Sequence, residues 1–166
     1  TFTDTSKVGP VDNTYGVGAN STTTYYLNFA VYSPMKLISV RVLAGGNGNR
    51  TIELRDSLGV LMQTMSAPLV TGWNTVTLNW NVPTGNAYRL VGAGGVTCYR
   101  NNNNATNYPY MLNGVVDITG CSGGPAYYTY FYDWKVETIN RFCTSPTTNV
   151  IAVVEACTGI DGDKDL

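Results

Sequence analysis

The chain has 166 residues, a length that suits one domain with a real hydrophobic core. Only 13% of them are charged and the net charge is −1, which leaves no electrostatic handle for nucleic acid or acidic membranes. No apolar run approaches the roughly 20 residues that cross a bilayer as a helix, and with no histidine anywhere a Ser–His–Asp or Cys–His site is excluded.

Residues 1–21 are rich in Thr, Gly and Asn, show no sustained pattern, and predict an irregular lead-in. The first strand is expected over 24–33, where Tyr25, Leu27, Phe29 and Val31 alternate with Tyr26, Asn28 and Ala30 before Pro34 closes it. Over 36–43, Ile38, Val40 and Val42 alternate with Ser39 and Arg41. The GGNGN run at 45–49 is a turn. A short strand at 51–55 turns through Asp56, Ser57, Leu58 and Gly59 into another at 60–65. In 73–82, Val76, Leu78, Trp80 and Val82 face one way and Thr75, Thr77, Asn79 and Asn81 the other. After a turn at 83–86 come strands at 87–91, 96–100 and 115–119.

The segment 127–137, YYTYFYDWKVE, predicts one long strand. Tyr128, Tyr130, Tyr132, Trp134 and Val136 fall on a core face, and Tyr127, Thr129, Phe131, Asp133, Lys135 and Glu137 on a partly wet one. A last strand is expected at 149–155. About ten short strands with turns every 8–12 residues and no helical period predict an all-β sandwich or barrel of antiparallel sheets. The module is expected to span 1–157. Residues 158–166, with Asp161, Asp163 and Asp165, read as the start of an acidic linker, and an opening at Thr1 without Met reads as a mature or excised product.

The four cysteines, Cys98, Cys121, Cys143 and Cys157, form no CxxC pair, so a zinc site is not indicated. An even count in a charge-poor chain points to disulfides and an extracytoplasmic setting. Cys98 and Cys121 bracket an Asn-rich excursion and are expected to pair. Cys143 and Cys157 then pair by elimination, unless a straight strand at 148–155 carries them apart.

The segments RTIELRDSLGVLMQT at 50–64, WNTVTLNWNVPTGNAYRLVG at 73–92, CYRNNN at 98–103, YPYMLNGVVDITG at 108–120, YYTYFYDWKVE at 127–137 and CTSPTTNVIAVV at 143–154 resemble β-sandwich modules of large secreted, multimodular proteins of the Bacteroidetes type. The YPY and FYDW runs are the most specific parts. The resemblance implies a jelly-roll sandwich of the galactose-binding or carbohydrate-binding-module kind, placed outside the cell and linked to other domains of a parent protein. Cys98 and Cys121 depart from the pattern, which has an apolar and a small polar residue there.

Three sets of residues are candidates for function. Tyr99, Arg100, Asn102, Tyr108 and Tyr110 place aromatic, amide and guanidinium groups in one loop, the chemistry that holds a sugar. Tyr127 and Phe131, two aromatics on the wet face of 127–137, could form a platform. Asp133, with Asp12, Asn13 and Asp4, offers oxygens for a structural Ca²⁺ of the kind jelly-roll modules often hold. Trp80 and Trp134 read as core, and Trp73 as edge packing. The expected function is a non-catalytic, secreted or surface-attached module that binds a polysaccharide or cell-surface glycan and tethers a larger protein in adhesion. A purely structural spacer is the alternative, and a carboxylate-based glycoside-active enzyme a second one. Neither nucleic-acid binding nor membrane insertion is expected.

Overall fold

The computed structural model describes residues 2–102 and 107–140. Thirteen strands run through these residues: β1 Phe2–Val8, β2 Val17–Ser21, β3 Tyr25–Val31, β4 Met35–Ala44, β5 Gly48–Arg55, β6 Leu61–Leu69, β7 Gly72–Val82, β8 Gly85–Gly95, β9 Cys98–Asn102, β10 Tyr110–Leu112, β11 Val116–Cys121, β12 Tyr128–Thr129 and β13 Tyr132–Asn140. They form two antiparallel sheets, and the described residues contain no helix. One sheet has six strands in the order β10-β11-β3-β8-β5-β6. The other has seven, in the order β1-β13-β4-β9-β12, with β2 on β9 and β7 on β4. This is the expected all-β sandwich.

Period-2 alternation explains why the sheets face one another. Leu27 and Phe29 of β3, Ile52 and Leu54 of β5 and Leu90 of β8 have no exposed surface. They meet Leu37, Val40 and Trp134 of the seven-stranded sheet in one core, and Phe29 packs edge-on to Trp134 at 5.2 Å between ring centroids. Trp80, Tyr130 and Tyr132 are buried as well.

The lead-in is not irregular. β1 pairs with β13 from Phe2↔Asn140 to Val8↔Trp134, and β2 pairs with β9. Both were missed because they are polar: β2 reads VGANS and is mostly exposed, so it carries no apolar alternation.

The long aromatic strand is interrupted. Tyr130 has φ 59°, and β12 ends before it while β13 begins after Phe131. Phe131 is buried, and its carbonyl accepts hydrogen bonds from Tyr128 Oη and Trp134 Nε1, both at 2.8 Å. The expected Tyr127–Phe131 platform therefore does not exist. Within β13, Tyr132 pairs with Arg41 and Lys135 with Ser39, so Asp133 and Trp134 together face Val40. This β-bulge sets Tyr132 opposite Arg41 and holds Asp133 at φ 46°. A slip at Ile38 acts similarly in β4, burying Leu37 while Ile38 stays partly exposed.

The expected Cys98–Cys121 disulfide is absent. Cys98 opens β9 in the seven-stranded sheet, opposite Ser21 and Ala44, whereas Cys121 closes β11 in the six-stranded sheet, opposite Leu27. Their thiols have separate partners. Cys98 Sγ lies 3.6 Å from the Val96 carbonyl, and Cys121 Sγ accepts from Gly123 N at 3.3 Å and meets Thr129 Oγ1 at 3.5 Å. Cys143, Cys157, the strand expected at 149–155 and the linker at 158–166 lie outside the described residues.

Candidate functional site

The loop residues singled out by sequence are brought together only in part, and they are used mainly for packing. Tyr108 stacks on Tyr128 at 6.1 Å, and its hydroxyl donates to the Tyr127 carbonyl at 2.8 Å. Tyr110 meets Tyr108 and Tyr128 edge-on, both at 5.4 Å, and its hydroxyl donates to that of Tyr15 at 3.3 Å. Burial raises the phenol pKa of Tyr108 and Tyr15 far above the ordinary range. Asn101, one of the run of asparagines after Arg100, ties this cluster down. It is fully buried, accepts from Tyr132 Oη at 2.7 Å, and donates to the carbonyls of Asn13 and Tyr15 at 3.0 and 3.3 Å.

Tyr99, Arg100 and Asn102 follow β9 rather than the tyrosine cluster. Arg100 lies 4.8 Å from the Tyr127 ring centre and 5.7 Å from that of Tyr25, with its Nε and Nη1 buried and without a hydrogen-bond partner among the described residues. Tyr99 packs where Gly18 of β2 leaves room for its ring. Asn102 Oδ1 is buried without a partner among the described residues, and Asn103 and Asn104 lie outside them.

Asp12, Asn13 and Asp133, expected to hold calcium, each have a partner within the protein. Asp12 Oδ1 accepts from Thr14 N and Thr14 Oγ1 at 2.9 and 2.6 Å, and these bonds lower its pKa. Asn13 gives its carbonyl to Asn101, and Asp133 Oδ2 accepts from Lys7 Nζ at 2.8 Å. Among the described residues no three acidic or thiol side chains gather where they could hold a metal ion.

An open cleft lies instead on the outer face of the six-stranded sheet. Register places two rows side by side. Tyr26, Val91, Glu53 and Thr64 form one, and Asn28, Arg89 and Arg55 the other. The cleft measures about 310 Å³ and is lined by Tyr26, Glu53, Arg55, Arg89, Thr24 and Gly59, with Val91 and Ala93 at its base. The β5–β6 turn pre-sets its cations. Asp56 Oδ1 accepts from Leu58 N and Val60 N, which fixes the turn. The turn's carbonyls then hold both arginines, Gly59 O taking Arg55 Nη1 at 2.7 Å and Ser57 O taking Arg89 Nη2 at 2.9 Å. Glu53 Oε2 accepts from Arg55 Nε at 2.8 Å, and the Arg89 guanidinium sits 5.3 Å from the Tyr26 ring centre.

The result is an aromatic ring, a carboxylate and two guanidiniums held in place on a rigid sheet, with backbone carbonyls at the rim. Such a set can donate to and accept from the hydroxyls of a polyol while the ring covers an apolar face. The signal in the sequence was the outward half of ordinary alternation: Tyr26 and Asn28 opposite Leu27 and Phe29, and Glu53 and Arg55 opposite Ile52 and Leu54. Each half-strand is unremarkable, and only pairing of β3, β8 and β5 assembles them. Compared with family models, curated proteins and solved structures, the chain matches none.

Proposed function

We propose that this chain is a non-catalytic, extracellular module that binds carbohydrate on the outer face of its six-stranded sheet and thereby tethers a larger protein to a glycan surface. The observation that carries the reading is the cleft of Tyr26, Glu53, Arg55 and Arg89, whose polar groups are oriented by the β5–β6 turn before any ligand arrives. The resemblance to secreted multimodular proteins agrees with it. Glycoside hydrolysis calls for two carboxyls about 5–9.5 Å apart. Among the described residues Glu53 is the single carboxylate lining the cleft, and it is already ion-paired with Arg55.

The test is retention on gels of neutral polysaccharides, followed by calorimetry on any that retain the protein. A few stacked and hydrogen-bonded contacts predict dissociation constants in the micromolar to millimolar range, about 4–8 kcal/mol. Tyr26→Ala should weaken binding about tenfold or more while the melting temperature holds, since a sugar–aromatic contact at a centre is lost. Binding unchanged by Tyr26→Ala and Arg89→Ala, or no retention by a broad panel, defeats the reading and leaves the spacer.

A further inference from the structure

The outer face of the seven-stranded sheet carries a second pocket of different chemistry. Lys7, Lys135, Ser39 and Thr77 stand in one row across β1, β13, β4 and β7, with Arg41 and Thr75 beside them. The bulge in β13 adds Asp133 to this face. A pocket of about 260 Å³ results, lined by Lys7, Ser39, Arg41, Thr75, Asp133 and Lys135.

Asp133 is 8% exposed and adopts a left-handed backbone that a non-glycine residue rarely takes. Its amide donates to the Pro10 carbonyl at 2.7 Å, which fixes the bulge. One carboxylate oxygen takes Lys7 Nζ, while the other, Oδ1, is buried with no hydrogen-bond partner among the described residues. A buried acceptor left open on a residue that lines a pocket is one that a ligand donor could satisfy. Arg41 is also pre-set, its guanidinium 4.4 Å from the Trp73 ring centre and donating to the Val11 carbonyl at 3.3 Å.

We infer that this pocket binds one acidic sugar unit, a hexuronate, at a site separate from the cleft on the opposite sheet. Three cations, Lys7, Arg41 and Lys135, face one carboxylate, so three minus one leaves a net charge of +2. That balance opposes a metal cation at Asp133 and attracts an anion. A simple anion would be repelled by Asp133 and would leave Oδ1 open. A neutral sugar would satisfy Oδ1 and leave the charges unused. A hexuronate has both parts on one ring: its carboxylate meets the cations, and a hydroxyl donates to Asp133 Oδ1, with the Ser39 and Thr75 hydroxyls flanking. The volume falls below the roughly 300–1,000 Å³ of drug-sized pockets, which suits a single ring rather than a chain.

The experiment is titration of the isotope-labelled full chain with oligogalacturonate, with the matching neutral oligogalactose, and with sulfate, followed by NMR. Oligogalacturonate should shift the amides of Lys7, Ser39, Thr75 and Lys135, and bind about tenfold or more tightly than oligogalactose, with affinity falling as salt rises. Asp133→Asn keeps a residue that tolerates positive φ. It should cost about tenfold against oligogalacturonate, whose hydroxyl loses a charged acceptor, and strengthen sulfate binding, because the repelling carboxylate is gone. Lys135→Gln, at an exposed position, should cost about threefold and flatten the salt dependence. If Asp133→Asn fails to fold, Ser39→Ala with Lys135→Gln carries the test. Tyr26→Ala should leave these shifts untouched, which separates this site from the neutral-glycan cleft. Shifts absent from the pocket, equal binding of oligogalactose, or Asp133→Asn strengthening oligogalacturonate binding as it strengthens sulfate binding would each overturn the inference.

Discussion

Arg50 offers the sharpest test of how this sandwich is held together. It is 1% exposed, and among the described residues no carboxylate lies within ion-pair distance of it. Its Nη2 donates to the Gly92 and Thr23 carbonyls at 2.7 and 3.1 Å, and its Nη1 to those of Val96 and Ser21 at 3.0 and 3.4 Å. The guanidinium lies 4.4 Å from the Tyr130 ring centre, and Tyr130 also donates to the Thr23 carbonyl. Gly92 permits this stacking, since a Cβ there would stand 2.5 Å from the Tyr130 ring. Arg50→Met keeps most of the side-chain length and removes every donor. Each buried carbonyl left without a partner costs about 1–3 kcal/mol. Against that, a buried charge without a counter-ion carries a standing desolvation cost that Met relieves. The Thr23 carbonyl keeps the Tyr130 hydroxyl, so with two or three carbonyls orphaned the first effect wins, and the net loss should be about 2–4 kcal/mol. For a domain of this size that lowers the melting temperature by about 4–16 °C. Urea unfolding should show the midpoint falling at constant m value, with Arg50→Lys intermediate because one ammonium reaches fewer carbonyls. A Met variant as stable as the parent would show that desolvation outweighs the hydrogen bonds, and would refute the reasoning.

The remaining predictions concern the thiols, pH and calcium. Cys98 and Cys121 should both be alkylated in unfolded protein without reductant, and in native protein Cys98 should react more slowly, because burial removes access and pushes its thiol up to about 11; recovery of the two as one linked peptide would contradict this. Stability should fall in alkali. The folded pKa of Cys98 lies above its unfolded value, so its contribution is full below about pH 9 and is lost as pH rises toward about 11. Tyr15, Tyr108, Tyr128 and Tyr132 are raised in the same direction by burial and extend the loss above pH 10. Phenolate absorbance appearing before unfolding would contradict it. EDTA should leave the melting temperature unchanged, because Lys7 already neutralises Asp133 and two more cations line that pocket; a fall on chelation, reversed by added Ca²⁺, would restore a calcium site.

The sequence alone determined the strands that alternate cleanly. β3 and β7 were readable, and so were the buried Trp80 and Trp134, because side chains leaving a strand on alternate sides is a local steric property. It also excluded histidine chemistry. Tertiary structure decided the rest. That Tyr132 pairs with Arg41 while staying buried depends on one extra residue in β13, and a bulge is set by pairing with β4. β1 and β2 owe their strand character to partners more than 75 residues away, Lys135 for Lys7 and Asn101 for Gly18. Cys98 and Cys121 bracket one loop but stand in opposite sheets, a relation that spacing along the chain does not contain. The same holds for both pockets. Tyr26, Arg89 and Glu53, like Lys7, Arg41 and Asp133, come from three different strands each, and only register between those strands makes them neighbours.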